Sequence, residues 1–206
     1  MRGVFVTGTD TGIGKTLVAA WLTVHWRADY WKPIQTGSQE DSDRDTVARL
    51  APGRTIHPST VELKAPLSPH EAARREGAHI DLGQLRPPAT EAPLVVEGAG
   101  GVLVPINEQA LMTDLMERLR LPVLVVARSS LGTVNHTLLT IEALRRRRLP
   151  ILGVVMNGQM NPTNRHAIEH FGQVPVLAEL QPLFAVTASV VAAMPPPNFP
   201  PPQTRA

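Results

Sequence analysis

The residues Gly3-Val-Phe-Val-Thr7 run directly into Gly8-Thr-Asp-Thr-Gly-Ile-Gly-Lys-Thr16. The first segment is rich in β-branched and aromatic residues and predicts a strand, and the apolar residues Val18 and Leu22 after the glycines predict a helix. A glycine-rich loop between a strand and a helix lets backbone N–H groups turn toward an anion, and the unpaired donors of the helix start strengthen that site. The stretch therefore predicts a phosphate-binding loop.

The last two residues of this loop have the chemistry that a nucleotide needs. Lys15 would reach the β- and γ-phosphates, and the Thr16 hydroxyl would hold the Mg²⁺ that bridges them. The spacing is a variant, because the common motif has glycine at position 9, where this chain has Thr9. We therefore expect ATP binding by a variant branch of the P-loop NTPases.

The rest of the chain alternates apolar runs with helical patterns. Strands are predicted at residues 28–34, 92–97, 121–127, 150–156 and 174–177, and helices near 41–51, 67–73, 111–119, 131–144 and 183–194, with 52–67 as connecting structure. Continuous apolar strands between helices indicate a mostly parallel sheet covered on both faces, which is a three-layer α/β/α fold. We predict one domain over 1–194 and a proline-rich, polyproline-like or disordered tail over 195–206, because proline supplies no donors.

The composition excludes several classes of protein. With 206 residues, 43% hydrophobic and 18% charged, the chain has the composition of a globular protein without a bilayer-spanning run or an apolar leader, so we expect it in the cytoplasm and not in a membrane. The absence of cysteine excludes disulfides and thiolate sites. A net charge of +2, with the arginine run 145–148 closing a helix, does not indicate nucleic-acid binding.

Charged residues stand at the ends of two predicted strands. The carboxyl ends of parallel strands face one crevice, so Lys32 would lie near the phosphate loop, unless it is only a surface charge. Glu97 ends a hydrophobic strand in the manner of a Walker B carboxylate and is the strongest metal candidate after Thr16. The glycines in residues 98–101 would let the backbone approach a ligand closely.

Two further features have a functional and a structural interpretation. Asp41, Asp43 and Asp45 open a predicted helix, where acidic residues are commonly caps, but one of them could be a second carboxylate ligand of Mg²⁺. Asn157 ends a predicted strand, where its amide could read a base edge or could form an ordinary Asn-Gly turn with Gly158. His166 and His170 lie one helical turn apart, and a solvated helix face is the favoured interpretation.

Taken together, the motifs resemble those of the dethiobiotin synthetase family. The matching stretches cover about residues 1–180 in the family's order: Gly8 to Thr16, Lys32-Pro-Ile-Gln-Thr-Gly37, Leu67-Ser-Pro-His70, Val96-Glu-Gly-Ala-Gly-Gly101, Leu131-Gly-Thr-Val-Asn-His136 and the strand ending at Asn157. The resemblance implies an ATP-dependent ligase of biotin biosynthesis. It would convert 7,8-diaminononanoate, CO₂ and MgATP into dethiobiotin, ADP and phosphate.

The resemblance also implies roles for individual residues. Lys15 and Lys32 would be catalytic, and Thr16, Glu97 and Asp43 would hold Mg²⁺, with Asp45 as the alternative to Asp43. ATP would contact Gly12, Ile13, Gly14, Lys15, Thr16, Leu17, Asp43, Glu97, Gly98, Ala99, Gly100, Asn157, Gly158, Gln181, Pro182 and Leu183. Thr11 and Thr36 would contact the diamine or its carbamate. In the expected homodimer, Gly132 and Asn135 of one subunit would help to hold the substrate carboxylate of the other.

The chain departs from the family pattern at two places. Gly12 stands where many members have glutamate, and the proline-rich tail replaces the closing helical region. Two other classes share the fold. Partitioning and cell-division ATPase switches carry a signature lysine at the position of Asp10, and cobyrinate amidase-type synthetases usually have a glutamine-hydrolysing domain, for which this chain has neither the length nor the cysteine.

Overall fold

The centre of the structure, a computed structural model that describes residues 2–39 and 42–202, is a seven-stranded parallel sheet. Its strand order is β4-β2-β6-β1-β7-β8-β9, and β3 pairs with β5 in a separate two-stranded sheet. The strands are β1 (Gly3–Gly8), β2 (Asp29–Trp31), β3 (Ile34–Gln35), β4 (Ile56–His57), β5 (Val61–Glu62), β6 (Leu94–Gly101), β7 (Val123–Arg128), β8 (Ile151–Asn157) and β9 (Val176–Leu180). The helices are α1 (Lys15–His25), α2 (Asp43–Leu50), α3 (Pro69–Glu76), α4 (Met112–Leu119), α5 (Thr133–Arg146), α6 (Pro162–Gly172) and α7 (Ala188–Ala193), with a 3₁₀ helix at Leu82–Gln84.

Apolar side chains alternate across the central strand and bury both faces of the sheet. Val4 and Val6 belong to a cluster with residues of α1, α2 and α7, whereas Phe5 belongs to a cluster with residues of α4, α5 and α6. All six residues of β1 are buried. The predicted three-layer α/β/α fold is confirmed, and β1 lies between β6 and β7 at the middle of the sheet. Among the described residues, no helix is both long enough and apolar enough to cross a bilayer.

The strand predicted at 28–34 is wrong in its extent, because the structure divides it into β2 and β3. Pro33 lies between them and has no N–H with which to continue a ladder. Its carbonyl accepts hydrogen bonds from Thr60 and Val61, both at 3.0 Å, and this directs the chain into the separate sheet. Lys32 is therefore the first residue after β2. The segment 52–67, predicted as connecting structure, contributes the two short strands β4 and β5.

The helix predicted over 183–194 is shorter than expected. Only Ala188–Ala193 is helical, and the helix begins where the Thr187 side chain accepts a hydrogen bond from the Val190 N–H at 3.3 Å. The residues before this cap are extended or form a bend, and Phe184 among them is fully exposed. An apolar run without a partner surface is not sufficient to form a helix.

Residues 195–202, called the C-terminal strap here, pack against α1, which differs from the expectation of a tail without packing. The Trp21 indole donates to the carbonyl of Pro195 at 2.9 Å, and the Trp26 indole donates to the carbonyl of Phe199 at 3.2 Å. The Phe199 ring meets both indoles edge-on, with centroids 6.4 and 5.6 Å apart. Proline lacks a donor but keeps its carbonyl, so a proline-rich segment can accept hydrogen bonds from tryptophan. The last four predicted tail residues lie outside the described part of the chain.

Replacing Phe199 with alanine is expected to lower the free energy of unfolding by about 1–2 kcal/mol. The effect is smaller than for a fully buried aromatic ring, because a half-buried ring contributes less to stability. Urea unfolding followed by circular dichroism measures this change. The matched control is Phe184→Ala, which removes a fully exposed ring and should change stability by less than about 0.5 kcal/mol. Equal unfolding midpoints for the two variants would show that the strap does not stabilise α1.

Candidate functional site

Residues 9–14 form the loop between β1 and α1, and two glycines give it its shape. Gly12 and Gly14 have φ values of 70° and 93°, in the left-handed region that other residues rarely adopt. A Cβ on Gly14 would also collide with the side-chain amide of Asn157. Both conformation and close approach therefore require glycine at position 14.

Side chains at the ends of two neighbouring strands contact this loop. Asn157, the last residue of β8, donates from Nδ2 to the carbonyl of Ile13 at 2.9 Å. Arg128, its register partner at the end of β7, forms a 2.8 Å ion pair with Asp10. The other carboxylate oxygen of Asp10 accepts from the Thr11 N–H at 2.7 Å. The two halves of the loop are thus held by two different strands.

The first residue of α1 is a buried lysine with few compensating partners. The ammonium group of Lys15 donates to the carbonyl of Asp10 at 3.0 Å, and the residue is only 7% exposed. Burial lowers the pKa of Lys15, and the nearby charge of Lys32 lowers it further, against the opposing effects of Glu97 and Asp43. A phosphate would supply the negative charge that this amine lacks, so Lys15 is suited to bind an anion.

A polar cluster, defined as Thr16, Lys32, Asp43 and Glu97, lies beside the loop. The Thr16 hydroxyl is 2.6 Å from Asp43 Oδ1 and 3.0 Å from Glu97 Oε1. The Lys32 ammonium is 2.7 Å from Asp43 Oδ2 and 3.3 Å from Glu97 Oε1. The four residues come from α1, the end of β2, α2 and β6. They meet because β2, β6 and β1 are adjacent parallel strands whose carboxyl ends share one edge.

The charges of the cluster stabilise one another despite burial. Burial opposes the charge on Lys32, which is 3% exposed, but Glu97 and Asp43 outweigh it and raise its pKa. Burial likewise opposes the charge on Asp43, but the charge and hydrogen bond of Lys32, with the Thr16 hydroxyl, lower its pKa. The lysine is therefore a cation and the aspartate an anion at neutral pH.

The geometry separates the two aspartates that the sequence left as alternatives. Ser42 caps α2: its hydroxyl accepts from the Asp45 N–H at 3.1 Å and donates to Asp45 Oδ2 at 2.6 Å. The Asp45 side chain is 62% exposed and pairs with Arg44, whereas Asp43 contacts Thr16 and Lys32. Asp45 thus has the structural role of a cap, and Asp43 faces the cluster. Asp41 lies outside the described residues.

A cavity of about 570 Å³ opens over the loop and the cluster. Eleven residues implied by the family resemblance line it: Thr11, Gly12, Gly14, Lys15, Thr16, Lys32, Thr36, Asp43, Glu97, Ala99 and Gly100. Pro66, Leu67, Ser68, Pro69 and Val104 complete the wall. Ser68 precedes α3 at its N-cap position, but its side chain makes no capping bond and instead contacts His70 Nδ1 at 3.1 Å. A volume of this size suits a small-molecule ligand with a few placed polar groups.

The oxygen atoms of the cluster fit a magnesium ion bound together with a nucleotide. Among the described residues, no group of three or more histidine, aspartate, glutamate or cysteine residues could hold a metal by itself. Mg²⁺ at phosphate sites takes only one or two carboxylates, with phosphate and water oxygens completing its coordination. Thr16, Asp43 and Glu97 supply one hydroxyl and two carboxylates from one wall of the cavity, which is that kind of donor set.

Comparison with known proteins identifies the family. Residues 2–190 match a family model described as an AAA domain. The chain is 73% identical over 199 residues, which cover 97% of each chain, to the ATP-dependent dethiobiotin synthetase BioD of Paramagnetospirillum magneticum. The chain belongs to the dethiobiotin synthetase family.

Other relatives agree with this assignment. A dethiobiotin synthetase of Rhodopseudomonas palustris is 46% identical over 96% of this chain and 94% of its own. The biotin biosynthesis bifunctional protein BioCD of Bordetella avium is 58% identical over 92% of this chain but only 42% of its own. The resemblance inferred from the motifs is confirmed, and dethiobiotin synthetases are ATP-dependent ligases.

Solved structures support the fold alone. A ParA family ATPase from Chlorobium tepidum has a TM-score of 0.59 at 11% identity, covering 93% of this chain and 96% of that one. The cell-division ATPase MinD of Pyrococcus furiosus has a TM-score of 0.53 at 18% identity, covering 87% and 83%. Both are P-loop proteins. Partitioning and cell-division ATPase switches carry a signature lysine at the position of Asp10. In this chain Asp10 forms an ion pair with Arg128.

The remaining residues implied by the dethiobiotin synthetase pattern lie at or outside the edge of the cavity. The Ile13 side chain is buried in the hydrophobic cluster around α1, and the partly buried Leu17 side chain packs against the same cluster. The Gly98 carbonyl lies 3.4 Å from the Lys32 ammonium, and Gly158 follows Asn157 and donates its N–H to Leu180 at 2.9 Å. Residues 181–183 follow β9, next to Asn157. Gly132 and Asn135 are exposed at the start of α5 and do not line the cavity.

Sequence reasoning missed one side chain of this site. Tyr30 is fully buried, and its hydroxyl donates to Glu97 Oε2 at 2.9 Å. The available signal was its position two residues before Lys32, because alternate residues of a strand point to the same face. Because Tyr30 lies in the apolar run that predicts a strand, the sequence indicates only a core residue at this position.

Proposed function

We propose that the protein closes the ureido ring of dethiobiotin, using 7,8-diaminononanoate, CO₂ and MgATP. The observation that carries the proposal is the meeting of Lys15, Lys32, Thr16, Asp43 and Glu97 in one cavity over a phosphate loop, in a chain of the dethiobiotin synthetase family. These reactants are cytoplasmic metabolites, so we expect the protein to act there.

The reaction consists of three bond-forming steps. One amine of the diamine attacks CO₂ and loses a proton to give a carbamate. A carbamate oxygen then attacks the γ-phosphorus of ATP, and ADP leaves. The second amine attacks the carbamoyl carbon of this mixed anhydride, phosphate leaves with its electron pair, and a proton is released as the ring closes.

The second step brings the anionic carbamate into contact with the anionic γ-phosphate, so the protein has to supply positive charge there. Catalysis of phosphoryl transfer comes mainly from positioning and from charges that stabilise the transferring group. Lys15 and the backbone donors of residues 12–17 would hold the phosphates, and Lys32 would neutralise the carbamate and the γ-phosphate as they meet. Their burial makes each charge more effective than it would be in water.

Thr16, Asp43 and Glu97 are proposed to hold the magnesium ion. When bound, Mg²⁺ would neutralise charge on the β- and γ-phosphate oxygens. Lys32 already contacts both carboxylates, so the same residues connect the metal site to the site of the carbamate. This shared contact favours one cavity for both substrates.

The ends of the cavity are assigned to the two organic substrates. Thr11 and Thr36 would contact the diamine or carbamate through their hydroxyl groups. Asn157 would read the adenine, and since its Nδ2 donates to the Ile13 carbonyl, Oδ1 is the atom that would accept the adenine amino group. Residues 181–183 would lie beside the base, because Leu180 is the register partner of Asn157.

The exposed start of α5 supports a homodimer that completes the diamine site. Leu131 is fully exposed. Leu139 is 56% exposed and lines a cavity of about 430 Å³ together with Thr11 and ten other residues of the loop, the end of β6, the segment 102–105 and α5. A second subunit would cover these apolar side chains. Gly132 and Asn135 of each subunit would then lie near the substrate carboxylate that the other subunit binds.

Light scattering should give twice the chain mass for the wild type, and Leu131→Glu should shift the measured mass toward that of the monomer. A monomeric wild type would contradict the dimer.

The test of the reaction is phosphate release from MgATP by the purified protein. The diamine and bicarbonate are each included or omitted, and dethiobiotin is detected by mass spectrometry. We expect release to require both additions and to match dethiobiotin formation in amount. Hydrolysis that ignores the diamine would overturn the proposed substrate and would favour an ATPase switch.

A further inference from the structure

Glu97 is held by different partners at its two carboxylate oxygens. Oε1 faces the cluster, where it contacts the Thr16 hydroxyl at 3.0 Å and the Lys32 ammonium at 3.3 Å. Oε2 points away from these groups and accepts from the Tyr30 hydroxyl at 2.9 Å. Glu97 is 1% exposed and Tyr30 is fully buried, so water does not substitute for this hydrogen bond.

The hydroxyl fixes the direction of the carboxylate. A buried carboxylate oxygen without a donor is unfavourable, so without Tyr30 the Glu97 carboxylate would be more stable with Oε2 rotated toward Lys32 or Thr16. With Tyr30 in place, the rotamer that presents Oε1 to the cluster satisfies both oxygens. Tyr30 is itself rigid, because β2 pairs with β6 and places Tyr30 opposite Val95, two residues before Glu97.

The Tyr30 phenol is the donor in its contact with Glu97. Burial raises its pKa well above the usual range, and the negative charges of Glu97 and Asp43, with the hydrogen bond to Glu97, raise it further. Lys15 and Lys32 are the cations of the same region, and against the effect of burial both lower the pKa of Asp43.

We propose that Tyr30 is a positioning residue for the magnesium ion of the nucleotide complex, acting through Glu97. It holds the Glu97 carboxylate so that Oε1 is directed at the metal position beside Thr16 and Asp43. The inference rests on the metal site of the proposed function. It does not depend on the identity of the diamine.

The test is Tyr30→Phe, which removes one oxygen atom and keeps the ring that fills the core. The readout is the Mg²⁺ dependence of binding of a fluorescent ADP analogue, followed by anisotropy without turnover. We expect the half-saturating Mg²⁺ concentration to rise about 10-fold, in the range typical of residues that orient metal ligands. Binding of the analogue without Mg²⁺ should stay within about twofold of wild type, since the phosphate loop is unchanged.

Two comparisons separate positioning from packing. Thr113→Val is the matched control, because it removes a buried hydroxyl that has no hydrogen-bond partner among the described residues. It should leave the Mg²⁺ titration unchanged. The Glu97→Gln background is the second comparison: if Tyr30 acts through the carboxylate, Tyr30→Phe should add little to the effect of Glu97→Gln.

The outcomes are distinct. A Mg²⁺ titration of Tyr30→Phe equal to that of wild type would overturn the positioning role, as would full additivity of its effect with that of Glu97→Gln. Failure of the wild type to form dethiobiotin would overturn the proposed reaction but would leave the Mg²⁺ result for Tyr30 standing. If Tyr30→Phe unfolds, Tyr30→Met removes the same hydroxyl and leaves an apolar side chain in the core, and its Mg²⁺ titration decides the question in the same way.

Discussion

Replacing Lys32 with alanine is expected to lower kcat by about 10²–10³-fold, the loss typical for one group that stabilises transition-state charge. The side chain is buried between Asp43 and Glu97, and its loss removes the positive charge that contacts both carboxylates. Affinity for the fluorescent ADP analogue should change much less, because ADP lacks the phosphate that Lys32 is proposed to neutralise. Stopped assays of dethiobiotin formation and equilibrium binding measure the two effects.

Lys64→Ala is the matched control for this variant. Lys64 is the third lysine of the chain and is exposed, so its removal should leave both kcat and affinity unchanged. Because Lys32→Ala leaves the buried Glu97 and the partly buried Asp43 without their cation, Lys32→Met provides a variant of similar volume, and thermal unfolding checks each fold. Near-normal product formation by a folded Lys32 variant would remove this lysine from the mechanism.

The second large effect is expected for Asp43→Asn, which should lower kcat/KM by about 10²-fold and raise the Mg²⁺ requirement. The substitution keeps the shape of the side chain but removes a negative charge that faces both Thr16 and Lys32. An amide is a weaker magnesium ligand than a carboxylate, and its NH₂ group would point at the Lys32 ammonium or at the metal. A Mg²⁺ titration of turnover and of nucleotide binding measures the change.

Asp45→Asn is the control two residues away on the same helix. It weakens the reciprocal pair with Ser42 and should lower stability by about 1 kcal/mol or less without changing the Mg²⁺ titration. The two variants thus separate a cap from a ligand. The opposite order of effects, with Asp45→Asn altering the Mg²⁺ titration and Asp43→Asn leaving it alone, would contradict the assignment.

Much of the site could be predicted from the sequence because parallel sheets impose a strong rule. A glycine-rich loop after the first strand fixes the edge at which ligands bind, and the carboxyl ends of neighbouring strands then point to the same edge. Glu97 follows from that rule without any knowledge of side-chain contacts, whereas for Lys32 the rule left a surface charge as the alternative. Asp43 needed the family resemblance, because acidic residues at a helix start are equally compatible with capping.

What could not be predicted depends on contacts between residues far apart in the chain. The position of Tyr30 two residues before Lys32 indicated only the face of the strand, and a phenol in an apolar strand does not show which carboxylate it will contact. The C-terminal strap was judged by the missing donors of proline, but its carbonyls found donors in Trp21 and Trp26, more than 170 residues earlier. The interruption of the predicted strand at Pro33 likewise depends on a second sheet, which forms only in the folded molecule.

The most direct test of the central claim follows the oxygen atoms of CO₂. The protein is given ¹⁸O-labelled bicarbonate, the diamine and MgATP in unlabelled water, and is quenched within a turnover so that exchange with water is small. If a carbamate oxygen attacks the γ-phosphorus, each phosphate released should carry one ¹⁸O from CO₂ and the ureido carbonyl of dethiobiotin should carry another. Phosphate without ¹⁸O, formed alongside labelled dethiobiotin, would contradict transfer to a carbamate and with it the role assigned to Lys32.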